Sequence, residues 1–270
     1  MEIDFREGLS KGQIVYDRLA MLQNQIIDTP DSSINIEFHN SGRVGRTFTF
    51  IIGCLPMLGK QHQKTVSLVL PPRIMTHMKN MDIYDYYSNP TAKLQRFQRI
   101  ESKEELIPLV LGIIKDAPVT MSEGLQELLV SRIGEVYNNA FEHSNATYII
   151  AGKYFKANRT YCFSVYDTGI GIAGNVQEFL GEPMTDSDAL KWALKSLNTT
   201  KPGSVPRGLG LSLLLEFAKV NKGEVRICTG NVLFTFSKEK GSRYNTLENK
   251  FIGTLFEMDI IPDDLCIYEI

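Results

Sequence analysis

The alternation of apolar and polar positions divides the chain into two stretches of unlike rhythm. From Gly8 to Ile27, residues Ile14, Leu19, Leu22 and Ile26 recur near helical spacing, which predicts a helix. Ser33 to Phe38 reads Ser-Ile-Asn-Ile-Glu-Phe, the period of a half-buried strand. Arg46 to Leu58 is apolar enough for a buried helix that Pro56 should end or kink. A strand over Thr65 to Leu70, closed by Pro71-Pro72, and a helix over Ile74 to Tyr84 complete this stretch. Strands alternating with helices predict a small α/β domain over residues 1–90, with the polar run Tyr86 to Thr91 as linker.

The second stretch, residues 91–270, opens with two predicted helices, Lys103 to Lys115 and Ser122 to Ser144. Strands are expected at Tyr148 to Phe155, Thr160 to Tyr166, Gly223 to Ile227, Val232 to Ser237 and Thr254 to Ile261. A helix from Leu209 to Val220 precedes the third of them. On the helix ending at Ser144, Leu125, Leu129, Ile133, Val136, Tyr137 and Ala140 share one arc at about 100° per residue. Glu135, Asn139 and His143 follow at i, i+4 and i+8, a polar row at the edge of that arc. Such a row either bonds neighbouring backbone or meets a ligand or metal.

Composition narrows the function classes. The net charge is −2, and the 29 basic residues are spread along the chain, so no nucleic-acid partner is expected. Cys54, Cys162, Cys228 and Cys266 lie far apart without a CxxC pair, which suits a reducing cytosol better than a disulfide framework. No run reaches the roughly 18 apolar residues of a membrane span, and the N-terminus has no signal-like apolar core. A cytoplasmic protein with no membrane partner is expected.

Two glycine boxes carry the chemistry. The apolar strand to Tyr166 runs into Asp167-Thr168-Gly169-Ile170-Gly171, where backbone must turn tightly and a carboxylate stands at the strand end. Arg207-Gly208-Leu209-Gly210-Leu211 opens an apolar helix, and exposed amides at a helix N-terminus form a phosphate cradle. It is neither a Walker P-loop nor a complete GxGxxG.

Taken in order, Glu135 to His143, Asp167 to Gly171 and Arg207 to Leu211 resemble the N, G1 and G2 boxes of the GHKL ATPase superfamily. Glu135-Val-Tyr-Asn-Asn139-Ala-Phe-Glu-His143 is most similar to the N box of its anti-sigma-factor serine kinase branch. Thr199-Thr200-Lys201 resembles the Thr-Thr-Lys ahead of the second glycine box, and Gly253-Thr254-Leu255-Phe256 resembles the family's Gly-Thr-x-Phe strand. The resemblance covers Arg96 to Pro262. It implies an α/β (α+β) chain, in which a Bergerat-fold sandwich with a mixed sheet covered by helices on one face follows the small α/β domain.

It also implies ATP and Mg2+ as ligands. Glu135 would be the general base and Asn139 the magnesium ligand. His143, Gly169, Gly171, Thr200, Lys201, Arg207, Gly208, Leu209 and Gly210 would line the nucleotide site. Asp167 would read adenine through its exocyclic amine, with Thr254 bonding the water around it. Asn175 to Pro206, with a short helix from Asp188 to Leu197, would be the ATP lid. The N-terminal stretch resembles a STAS-like fold but lacks the Asp-Ser-Ser-Gly phosphoacceptor, having only Ser41-Gly42. No phosphoacceptor His-Glu helix precedes the ATPase region, which departs from sensor histidine kinases. The expected activity is therefore an ATP-dependent serine/threonine kinase or ATPase acting in regulation with a protein partner, and a homodimer is one possible assembly. The alternatives are an ATP-sensing switch with little hydrolysis and an interaction protein whose site has degenerated.

Overall fold

In the computed structural model, residues 12–39, 44–89, 94, 96–156, 159–195 and 210–269 are described. The fold is α+β. Helix α1 (Gln13–Asp28), strand β1 (Ser33–Glu37), helix α2 (Arg46–Gln61) and strand β2 (Thr65–Val69) come first, and β1 pairs in parallel with β2. Helix α2 runs on past Pro56 rather than ending there. Leu55, Met57, Leu58 and Gly59 are all buried around it, and that burial offsets the backbone hydrogen bond a proline cannot make. The helix predicted over Ile74 to Tyr84 is two helices, α3 (Pro72–Asn80) and α4 (Ile83–Ser88). They are separated at Asp82, whose φ of 61° cannot continue a right-handed helix.

After β3 (Phe97–Arg99) and a 3-10 turn (Lys103–Glu105) come α5 (Leu106–Asp116), β4 (Val119–Met121) and α6 (Glu123–His143). Ser122 caps α6 by accepting the Leu125 amide. Then follow β5 (Ile149–Phe155), β6 (Tyr161–Asp167), α7 (Gly171–Leu180), α8 (Asp186–Leu194) and α9 (Gly210–Asn221). Strands β7 (Glu224–Ser237), β8 (Gly241–Ile260) and β9 (Asp263–Tyr268) end the fold. The strands expected at 223–227 and 232–237 are one strand, β7, whose register breaks on both sides of Gly230 at φ 53°.

The main sheet has the order β3-β5-β6-β8-β7, and its ladders are antiparallel rather than mixed. Among the described residues, parallel pairing is confined to β1–β2 and β4–β9. Nor is the sheet covered on one face alone. Every residue of β6 is buried, so both faces need a cover. Tyr161, Phe163 and Val165 point into a core with α5, α6 and α9, built around Ile113, Leu129, Ile133 and Leu214. Cys162 and Tyr166 point the other way, into a core with Leu19, Leu22 and Ile26 of α1 and Phe50 and Ile51 of α2. The described residues of the first ninety thus form a small α/β layer whose core is continuous with one face of the sheet.

Polar contacts fix this layer. Between the pairs Val232–Thr246 and Gly230–Phe251, β8 runs out of step with β7. Side chains of α1 bond the β8 backbone along this stretch. Gln13 donates to the Thr246 carbonyl, Asp17 accepts the Glu248 amide at 2.6 Å, and Asn24 donates to the Lys250 carbonyl at 2.8 Å. Deeper in the interface, fully buried Glu257 accepts from Tyr16 at 2.9 Å, Thr47 at 2.8 Å and Tyr154 at 2.9 Å. Burial alone would raise the Glu257 pKa, but Arg226 and Lys156 outweigh it and hold the carboxyl below its ordinary value. Arg226 and Lys156 also clasp Asp259 at 2.8 and 2.7 Å, so the buried charges are paired.

Candidate functional site

Strand β6 delivers Asp167 to a crowded corner of the sheet. In register, Asp167 pairs with Thr254 of β8, and Thr254 pairs with Thr229 of β7, so the three lie in one row across the sheet. Asp167 is only 5% exposed. Its Oδ1 accepts the Gly169 amide at 2.9 Å, and the Thr254 backbone also bonds the carboxylate. Burial nevertheless wins over these two donors and pushes the Asp167 pKa up to about 7.

The glycines around it are required by contact. A Cβ on Gly169 would lie 1.9 Å from the Ser144 carbonyl oxygen, and one on Gly253 would lie 1.8 Å from the Asp167 carbonyl oxygen. Gly253 and Gly171 also have φ values of 79° and 76°, a region that L side chains rarely adopt. Gly171 opens α7, and the next amide, Ile172, donates to Thr229 Oγ1 at 3.1 Å. Thr229 Oγ1 in turn lies 3.4 Å from Thr254 Oγ1. The carboxyl end of α6 closes the corner, where the Ile170 amide donates to the Ser144 carbonyl at 2.8 Å.

Asp167, Gly169, Gly171, Gly253 and Thr254 therefore meet at one place. His143 is the last residue of α6, directly before Ser144, and its side chain lies outside the described residues. Asn139 is exposed on α6, and half-buried Glu135 lies 3.5 Å from Arg132. Eight residues separate Glu135 from His143, about 12 Å along the helix axis. Gly210 is the first residue of α9, while Thr200, Lys201, Arg207, Gly208 and Leu209 lie outside the described residues.

Of the segment expected to be a lid, residues 175–195 are described, and they hold the end of α7 and all of α8. Asn175 lies within α7, and α8 starts at Asp186, two residues earlier than expected, and ends at Leu194. Asp186 accepts the Asn231 amide at 2.8 Å, which ties α8 to the bend of β7. Thr168, Gln61, Ser144 and Thr229 are the participants that sequence reasoning missed. Thr168 donates its hydroxyl to Gln61 Oε1, and Gln61 Nε2 donates back to the Thr168 carbonyl at 3.2 Å. Thr229-Gly230 after an apolar run was a usable signal for the first row of the sheet, but nothing local marks Gln61.

A separate apolar groove of about 650 Å³ lies between the start of α6, α9 and β9, lined by Leu125, Phe217, Val220 and Ile267. It belongs to the opposite end of α6 from the Asp167 corner. Among the described residues, no group of three or more His, Cys, Asp or Glu side chains is arranged to hold a metal. Among them, too, no helix is long and apolar enough to cross a membrane. No protein-family model matches the chain, and no curated protein matches it in sequence.

Proposed function

We propose that the chain binds ATP with magnesium at the Asp167 corner and uses it in regulation, as a GHKL-type serine/threonine kinase or ATPase. The observation that carries this reading is Asp167 itself. A carboxylate has about four lone-pair sites, and the Gly169 and Thr254 amides leave some of them free. Holding such a group in a dry corner is costly unless a further donor arrives, and an adenine exocyclic amine is such a donor.

Asn139, exposed on α6, would give magnesium one amide oxygen, with phosphates and water supplying the rest of the shell. Bound Mg-ATP would supply a γ-phosphoryl group. Glu135 would orient and deprotonate the hydroxyl or water that accepts it. Thr200, Lys201, Arg207, Gly208 and Leu209 enter the proposal on their resemblance alone, and Gly210 adds the N-terminus of α9 toward the phosphates. Incubation of the whole chain with γ-labelled ATP, beside Glu135→Ala, tests turnover. Label on protein or released phosphate from the wild type, lost in Glu135→Ala with binding retained, is the expected result. Equal turnover in the variant removes Glu135 from the mechanism.

A second reading, an ATP-sensing switch with little hydrolysis, draws on the Arg132 ion pair at Glu135, which competes for the carboxylate. Saturable binding with neither label nor phosphate would favour it.

A further inference from the structure

The end of α2 is the part of the N-terminal layer that touches the Asp167 corner, and it is tightly fixed. A Cβ on Gly59 would meet a Val66 methyl at 2.4 Å, so helix and following strand are in close contact there. Lys64, three residues beyond Gln61, donates to the carbonyls of Ile26, Ile27 and Thr29 at 2.7, 2.6 and 2.6 Å, which closes the end of α1. From this anchored position Gln61 presents an amide to Thr168. An amide is both donor and acceptor, and both functions are used: the Thr168 hydroxyl donates to Oε1, and Nε2 donates to the Thr168 carbonyl. Thr168 is 2% exposed and sits between Asp167 and Gly169. Its amide also donates to the Tyr148 carbonyl at 3.1 Å, so the residue is gripped from β5's side and from α2.

We infer that Gln61 is a positioning residue for the nucleotide-binding turn: by holding Thr168 through hydroxyl and carbonyl, it sets how Asp167 and the Gly169 amide face the base. The same contact makes nucleotide occupancy legible to the N-terminal layer. Helix α2 begins beside the buried charges, where Thr47 bonds Glu257, and ends on the turn, about 21 Å away at 1.5 Å per residue. A partner that shifts α2 would alter the turn, and a bound base would hold α2 in return. This inference rests on the proposed nucleotide site.

The test compares the full chain with Gln61→Met, which keeps length and helix propensity but removes both hydrogen bonds. Gln61→Glu keeps the acceptor and loses the donor. Each is titrated calorimetrically with Mg-ATP, and amide exchange is followed across residues 167–172. We expect Gln61→Met to raise the Kd about tenfold, Gln61→Glu, which sets a carboxylate oxygen against the Thr168 carbonyl, to raise it at least as much, and the Gly169 and Ile170 amides to exchange faster. The urea midpoint should fall modestly, because the buried Thr168 carbonyl loses its Gln61 donor, and the exchange change confined to 167–172 separates positioning from that general loss. In a Thr168→Val background the cost of Gln61→Met should shrink, because one of its two bonds is already gone. Wild-type affinity and unchanged exchange in Gln61→Met overturn the positioning role and leave the nucleotide site standing. A wild type without saturable Mg-ATP binding overturns the site, and this inference with it.

Discussion

Replacing Asp167 by asparagine should make the ligand-free protein more stable, and by an amount that depends on pH. Burial moves the Asp167 pKa from 3.8 to about 7. That is roughly three units at 1.36 kcal/mol each, or about 4 kcal/mol. The sign follows from proton linkage. Below pH 3.8 the carboxyl is protonated in both folded and unfolded chains and costs nothing. Between 3.8 and 7 the unfolded chain ionises while the folded chain stays protonated, so stability falls as pH rises and levels off above 7. Asparagine keeps one oxygen for the Gly169 amide but gives up an acceptor toward Thr254, a loss of about 1–3 kcal/mol that does not vary with pH. The stability difference between Asp167→Asn and wild type should therefore grow by about 3 kcal/mol from pH 5 to pH 8. Urea unfolding at several pH values measures it. The depressed carboxyls Glu257 and Asp259 also make the wild type pH-sensitive, in the opposite sense, but they are common to both proteins and cancel in the difference. A difference that stays flat from pH 5 to 8 would refute the claim that burial charges a penalty at Asp167.

Further outcomes follow from the same geometry. Gly253→Ala forces a Cβ toward the Asp167 carbonyl at φ 79°, and should cost at least about 2 kcal/mol in urea unfolding; a neutral substitution would mean the corner is looser than described. Arg226→Leu leaves Glu257 and Asp259 buried with Lys156 as their remaining cation, and should cost about 3–5 kcal/mol, read as a lower urea midpoint. A shift below about 1 kcal/mol would show that the network does not hold the N-terminal layer to the sheet.

The Asp167 corner was legible because its signals are local. An apolar strand ending in Asp-x-Gly-x-Gly marks a tight turn from the residues themselves, while Gly253-Thr254, inside β8, was singled out by its resemblance to the Gly-Thr-x-Phe strand. Register then puts Thr254 opposite Asp167 without further help. Less legible features depend on distant partners. Strands β3 and β4 have three residues each, too short for a period, and β9 exposes Leu265 and Ile267, which blurs its pattern. The second cover of the sheet could be guessed only from the uniform burial of β6, where Tyr161, Phe163 and Val165 alternate with Cys162, Ser164 and Tyr166. The helix predicted through Asp82 failed because one left-handed residue breaks a run that propensity alone would continue. Gln61 lies 107 residues from Thr168, and a glutamine at a helix end carries no mark of what it will bond.

The most direct test is a calorimetric titration of the intact chain with Mg-ATP at pH 8 and pH 6, beside Asp167→Asn. Saturable binding at one site is expected. It should weaken about tenfold at pH 6, because a group with a pKa near 7 is mostly protonated there, and be lost or strongly reduced in the variant at both values. The absence of saturable heat up to millimolar nucleotide, or equal affinity in Asp167→Asn, would contradict the assignment of a nucleotide site to this corner.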